Sequence, residues 1–137
     1  MPAIDAVMET CLYFDDLVRA VAFYREVLQL PLLSADDRFA AFSVNDRQLL
    51  LLFRRHATLS AVNTPGGVIP PHDGSGPNHV GFAVSAASLP HWERRFEQAG
   101  IAIESRVCWP RGGTSLYVRD PERNLVELLT PGVWEIY

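Results

Sequence analysis

Apolar and polar positions follow the same order twice along the chain. In the first half, a strand-forming stretch from Val7 to Phe14 precedes apolar residues at helical spacing from Leu17 to Leu28. In the second half, His79 to Val84 precedes a helical pattern from Leu89 to Ala99. Glu9 and His79, which open the matching segments, stand 70 residues apart in a chain of 137. The repetition predicts a duplicated module.

Three short strand candidates follow each predicted helix. They are separated by turn-forming residues, and Asn45-Asp46 predicts a hairpin turn. The candidates are 31–34, 39–44 and 47–54 in the first half, and 101–107, 114–119 and 124–129 in the second. Each half therefore reads βαβββ. The predicted fold class is α+β, with two tandem βαβββ modules forming cupped mixed sheets around a shared cleft.

The whole chain, residues 1–137, is predicted to form one domain, because halves of this size seldom bury enough apolar surface alone. Its two modules lie at about 5–56 and 77–131. The segment 57–78, rich in Pro, Gly and Ser, joins them as a linker or a lid. The apolar tail 133–137 is expected to cover another surface, either of the same chain or of a partner chain.

Composition restricts the classes of partner. Hydrophobic residues make up 48% and charged residues 20%, as in soluble globular proteins, and no stretch is apolar enough to cross a membrane. The net charge is −4 and the basic residues are scattered, which argues against binding to nucleic acid. Cys11 and Cys108 form no Cys-x-x-Cys motif, and the first residues do not resemble a leader segment. We therefore expect a cytoplasmic protein with reduced thiols.

Glu127 is the most informative candidate for chemistry. It stands among apolar residues in a predicted strand, where an unpartnered carboxylate is costly, and the matching position of the first half holds Leu51. Glu9 and His79 open the first strand of each module, so the three side chains are expected to converge in the cleft. One imidazole and two carboxylates suit Fe²⁺, Mn²⁺, Zn²⁺ or Ni²⁺, with positions left for substrate oxygens. By strand parity, Cys11 and Tyr13 are candidates to line the same pocket.

These segments resemble the vicinal oxygen chelate superfamily, which includes glyoxalase I, extradiol dioxygenases and bleomycin-resistance proteins. The likeness lies in the segments Glu9–Phe14, His79–Val84 and Asp120–Leu128, and it extends over nearly the whole chain. Three positions depart from the family pattern. Glu9 stands where glyoxalase-like members commonly have His or Gln, and Gln29 and Arg123 stand where they have Gly.

The resemblance implies particular roles for further residues. Glyoxalase I uses four protein ligands, and the fourth would fall at Leu51, whereas extradiol dioxygenases use three. The dioxygenase pattern matches Tyr117 as a catalytic residue but has an acid–base His where this chain has Cys108-Trp109-Pro110. His72 in the 57–78 segment is the candidate to replace that His, and the adjacent Asp73 is expected to orient it. The family also implies a homodimer whose clefts are shared between modules.

Two functions from different classes follow. The leading prediction is a divalent-metal-dependent enzyme that chelates two neighbouring oxygens of a small substrate, as a glyoxalase-like isomerase or lyase or as an extradiol-type ring-cleaving dioxygenase. The alternative is a protein without enzymatic activity that sequesters a ligand, as bleomycin-resistance proteins do. In that case Glu9 and Glu127 would face a cationic ligand.

Overall fold

Each half of the chain folds into a helical segment and a four-stranded mixed sheet, as the repeated pattern predicts. The computed structural model describes all residues, 1–137, in two compact units, Met1–Gly76 and Pro77–Tyr137. The first unit contains β1 (Glu9–Phe14), α1 (Leu17–Ala22) with a π-helical turn (Phe23–Val27), β2 (Leu32–Ala35), β3 (Phe39–Val44), β4 (Gln48–Arg54), β5 (Val62–Thr64) and β6 (Gly67–Ile69). The second contains β7 (His79–Ala83), a 3₁₀ turn (Ala86–Ser88), α2 (Leu89–Gln98), β8 (Ser105–Cys108), β9 (Thr114–Arg119) and β10 (Leu125–Leu129).

Both sheets have the same topology. The strand orders are β1-β4-β3-β2 and β7-β10-β9-β8, and in each sheet the first and last strands of the βαβββ unit pair in parallel. The parallel register places Glu9 beside Leu49 and His79 beside Leu125. The α+β prediction and the βαβββ order of each half are therefore confirmed.

Alternation along the strands separates a core face from an open face in each sheet. In β10, Val126 and Leu128 are buried in the core of the second unit together with Phe96 of α2. Glu127 lies between them in sequence and therefore points to the opposite face. In the first unit, buried aromatic side chains form the corresponding core. The Phe14 and Tyr24 rings pack edge-on there, with their centroids 6.2 Å apart.

The predicted boundaries differ most at β8. Ile101–Glu104 were expected to belong to this strand, but the Ile101 amide donates to the Phe96 carbonyl at 2.8 Å and thus closes the end of α2. Gly100 takes a φ of +69°, as the residue after a helix often does. Ile101 thus ends the helix, and the chain joins the sheet only from the Glu104 amide, which donates to the Tyr117 carbonyl at 2.8 Å just before β8 begins at Ser105.

Two segments outside the sheets also have defined structure. The 57–78 segment contains the antiparallel β5–β6 hairpin. The boundary between the two compact units, after Gly76, also falls within this segment. The tail folds back on its own unit, where the Tyr137 hydroxyl donates to the Val84 carbonyl at 3.2 Å, while Trp134 and Ile136 are exposed. No helix is both long and apolar enough to span a bilayer.

Gln29 and Arg123, which replace glycine in the family pattern, both have left-handed backbones, with φ of +58° and +72°. A side chain costs about 1–2 kcal/mol in this conformation, whereas glycine adopts it freely but loses more entropy on folding. Gln29→Gly and Arg123→Gly should each raise the free energy of unfolding, by about 0.5–1 kcal/mol. Urea denaturation measures the change. Glu26→Gly, within the helical segment, is the matched control and should lower the free energy of unfolding by about 1 kcal/mol.

Candidate functional site

His79 and Glu127 meet on the open face of the second unit's sheet. His79 opens β7 and Glu127 is the central residue of β10, and their parallel pairing places His79 Nε2 3.1 Å from Glu127 Oε1. The imidazole is half exposed, whereas Glu127 is only 7% exposed. The carboxylate therefore lies in the sheet surface with an imidazole at its outer edge.

The contacts of His79 show which ring nitrogen carries a proton. Nδ1 lies 3.0 Å from the Leu125 carbonyl oxygen, and since a carbonyl can only accept, Nδ1 carries a proton. In the neutral ring, Nε2 then presents its lone pair towards a carboxylate oxygen that also carries lone pairs. This contact is favourable only when a proton or another cation joins the two atoms. A metal-binding imidazole typically donates its second N–H to a carbonyl in this way.

The separation of the two donor atoms also suits a shared metal ion. Metal–nitrogen and metal–oxygen bonds of about 2.0–2.2 Å place two ligands roughly 3 Å apart when the angle between them at the ion is near 90°. The observed distance of 3.1 Å agrees with this value. The donor pair therefore has the spacing of two ligands of one divalent cation.

Gly81 leaves room beside the carboxylate. It lies directly opposite Glu127 in the register of β7 and β10. A Cβ atom at this position would approach a Leu129 methyl group to 3.2 Å and Glu127 Oε1 to 3.7 Å. Glycine at position 81 therefore avoids a tight contact with Leu129 and places no side chain of its own against Oε1.

A hydroxyl group holds the other oxygen of Glu127. Ser115 Oγ donates to Glu127 Oε2 at 2.6 Å, and the Trp109 indole N–H donates to Ser115 Oγ at 2.8 Å. Sequence reasoning did not identify Ser115 as part of the site. Its position two residues before Tyr117 in β9 was the available signal, because strand parity places both residues on the face that carries Glu127.

Tyr117 stands directly opposite Glu127 in the antiparallel register of β9 and β10. Burial raises the pKa of Tyr117 above its ordinary value of 10.0; a hydrogen bond with Ser115 acts against this, whereas the Glu127 charge and a hydrogen bond with Glu127 act in the same direction as burial. The Tyr117 ring also lies near the His79 ring, with centroids 6.4 Å apart. Tyr117 is therefore a neutral phenol at neutral pH, able to donate a hydrogen bond at this face.

The first unit presents a different surface at the matching positions. Glu9, Cys11 and Tyr13 share one side of β1, and Leu51 occupies the place opposite Cys11 that Glu127 occupies opposite Gly81. Burial, followed by the Glu9 charge, raises the pKa of the Cys11 thiol, which favours its protonated form. Leu51 is buried in an apolar cluster with Ala41 and Phe53. This face is suited to contact an apolar part of a ligand.

The predicted three-ligand set divides between the units, with Glu9 in the first and His79 and Glu127 in the second. In neither unit do three or more His, Cys, Asp or Glu side chains lie close enough together to hold a metal ion. The pairing of His79 with Glu127 is thus observed. The contribution of Glu9 stays a prediction.

His72 lies against the open face of the first unit's sheet. Its Nδ1 is 2.6 Å from the Tyr13 hydroxyl, and its ring packs edge-on against Phe53 at a centroid distance of 4.7 Å. Asp73, expected to orient His72, instead accepts the His56 backbone N–H at 3.0 Å. Tyr13 therefore orients His72.

The chain is similar in sequence and structure to known proteins. The family model described as Glyoxalase/Bleomycin resistance protein/Dioxygenase superfamily matches residues 3–128. The crystal structure of lactoylglutathione lyase from Agrobacterium tumefaciens superposes with a TM-score of 0.87 at 37% sequence identity, over 98% of this chain and 99% of that chain. Curated protein sequences yield no match.

More distant structures share the fold. A glyoxalase/bleomycin resistance protein/dioxygenase from Nocardioides has a TM-score of 0.71 at 21% identity, covering 95% of this chain and 85% of that chain. A fosfomycin resistance protein from Mesorhizobium loti has a TM-score of 0.66 at 19% identity, covering 96% of both chains. Identities this low establish only the common architecture.

Proposed function

The chain belongs to the Glyoxalase/Bleomycin resistance protein/Dioxygenase superfamily, and from that premise we propose that it is a divalent-metal-dependent enzyme of the lyase or isomerase kind. Its substrate would be a small molecule with two neighbouring oxygens. The observation that supports this function most directly is the His79–Glu127 pair, whose donor atoms lie 3.1 Å apart while His79 Nδ1 is committed to a carbonyl.

Glu9 is the third ligand in this proposal. It opens β1 as His79 opens β7, and the two residues hold matching register positions in their sheets. Leu51 stands where a fourth ligand would be, so three protein ligands would leave open positions for substrate oxygens. Fe²⁺, Mn²⁺, Zn²⁺ and Ni²⁺ are all compatible with one imidazole and two carboxylates.

Other residues would have separate tasks in this proposal. When bound, the cation would supply Lewis-acid stabilisation of negative charge developing on the substrate oxygens. Tyr117, whose pKa burial raises, would donate a hydrogen bond to a substrate oxygen as a neutral phenol. His72, oriented by the Tyr13 hydroxyl, is the candidate to move a proton. Cys11 and Tyr13 would line the pocket, with the apolar cluster around Leu51 behind them.

Trp109 favours lyase or isomerase chemistry over ring cleavage. The dioxygenase pattern places a proton-moving His near this position, but an indole N–H is a donor only and cannot accept a proton at neutral pH. The 37% identity to a protein described as a lactoylglutathione lyase supports the same branch of the superfamily. A hemithioacetal is therefore the first substrate to test.

A cytoplasmic homodimer with clefts shared between modules completes the proposal. Superfamily members commonly form oligomers, and exposed apolar side chains at both termini offer surface for a second copy; they include Ile4, Val7, Met8, Trp134 and Ile136. Cys11 and Cys108 are free thiols, which suits a reducing compartment.

Metal content and substrate turnover test the proposed function together. Purified protein should contain stoichiometric divalent cation and convert a hemithioacetal, and a chelator should remove both the metal and the activity until metal is restored. Oxygen consumption with catechols would contradict the lyase or isomerase assignment and favour a dioxygenase. Metal-free protein that turns over neither substrate would favour the ligand-sequestering alternative.

A further inference from the structure

We propose that Ser115, itself held by the Trp109 indole, is a positioning residue that orients the Glu127 carboxylate for cation binding. This inference rests on the proposed function, because it concerns cation binding. Its geometric support is a series of three hydrogen-bonded side chains. Trp109 Nε1 lies 2.8 Å from Ser115 Oγ, which lies 2.6 Å from Glu127 Oε2. All three residues belong to the second unit.

The chain of hydrogen bonds runs in one direction. The indole N–H can only donate, so Ser115 Oγ must accept from it. The single hydroxyl proton of Ser115 is directed to Glu127 Oε2, which can only accept it, and the Tyr117 phenol also lies within hydrogen-bonding reach of Ser115 and Glu127. The two hydrogen bonds in series therefore hold one oxygen of the Glu127 carboxylate in a fixed place.

Ser115 and Glu127 are shielded from solvent, so their hydrogen bonds are not replaced by bonds to water. Ser115 is fully buried and Glu127 nearly so, whereas the Trp109 ring is partly exposed. A buried hydroxyl without a partner would be costly, and Ser115 satisfies both its donor and its acceptor capacity within this chain. Fixing Oε2 determines the plane of the carboxylate and leaves Oε1 facing His79 Nε2. Ser115 would thus act on the cation through Glu127 and not by contact.

The test compares Ser115→Ala and Trp109→Phe with two matched controls. Ser43→Ala removes a nearly buried serine hydroxyl from the first unit, and Trp92→Phe removes an indole from α2 of the second. The probe is Zn²⁺ alone, titrated into metal-free protein in a calorimeter. Loss of an outer-shell partner typically costs about 10–100-fold in metal affinity, and we expect this loss for Ser115→Ala and Trp109→Phe but not for the controls.

A spectroscopic readout works without metal. In metal-free wild-type protein the Trp109 indole N–H should exchange slowly with solvent, and in Ser115→Ala it should exchange faster because its acceptor is gone. A merely structural role for Ser115 would lower stability without weakening Zn²⁺ binding, so urea unfolding of each variant is measured in parallel. Trp109→Phe keeps a partly exposed ring in place and provides a second variant if Ser115→Ala folds poorly.

The outcomes separate the two proposals. Wild-type Zn²⁺ affinity in both variants, or equal indole exchange in wild type and Ser115→Ala, would overturn the positioning role. If wild-type protein binds no Zn²⁺, the proposed function fails. Exchange of the Trp109 indole N–H in metal-free protein then tests by itself whether Ser115 holds the indole. Ser115→Thr, which restores a hydroxyl, should recover part of the affinity if it folds as the wild type does.

Discussion

Glu127→Gln should abolish stoichiometric binding of a divalent cation while leaving the protein folded. Ser115 donates to Oε2, so the oxygen of the new amide would take that place and its NH₂ group would face His79. The NH₂ group can donate to the Nε2 lone pair, which occupies the atom needed for a metal. The expected loss of affinity exceeds the roughly 10–100-fold that an outer-shell partner typically costs.

The same substitution should not lower the free energy of unfolding. It removes a nearly buried charge whose desolvation is costly and replaces it by a neutral group that keeps both hydrogen bonds. Elemental analysis and Zn²⁺ calorimetry measure the binding, and urea denaturation measures the stability. Glu135→Gln, an exposed carboxylate of the same unit, is the matched control and should change neither quantity. Stoichiometric metal retained by Glu127→Gln would rule out Glu127 as a ligand.

Phe14→Ala should cause a large loss of stability, of the size expected for a fully buried aromatic side chain of the first unit's core. Phe14 is completely buried at the end of β1, where its ring contacts the equally buried Tyr24. Removing a buried phenyl group loses its transfer free energy and leaves a cavity, at a cost of about 3–5 kcal/mol.

Urea denaturation of Phe14→Ala checks this expectation. Val18→Ala in α1 is the control: its side chain is 83% exposed, so its loss should change the free energy of unfolding by less than about 0.5 kcal/mol. A loss below about 1 kcal/mol for Phe14→Ala would mean that the cavity refills or that the first unit contributes little to the measured transition.

Phe14→Ala and Glu127→Gln alter opposite faces of two sheets that have the same topology. Phe14 lies on the core face of β1, whereas Glu127 lies on the open face of β10. Substitution on the core face should change stability and leave the donor atoms of the second unit in place. Substitution on the open face should change binding and leave stability intact. Observing this separation would support the division of each sheet into a structural face and a functional face.

The fold could be predicted largely because its signals are local. The strands Phe39–Val44 and Thr114–Arg119 begin and end where apolar alternation and turn residues indicate. Asn45 and Asp46 both have positive φ, as the predicted hairpin turn requires. The β8 boundary could not be predicted, since the segment before it is used by a backbone hydrogen bond that closes α2.

The candidate site divides in the same way. The sequence by itself determined that Glu127 needs a partner, because a carboxylate between apolar strand residues is costly to leave unpaired. It also indicated His79, through its place in the repeat. Only the tertiary structure decided that His79 Nδ1 is bound to the Leu125 carbonyl and that Ser115 and Trp109 hold the far oxygen of Glu127. These contacts depend on the register between strands distant in sequence, which hydrophobic periodicity does not specify to the level of single atoms.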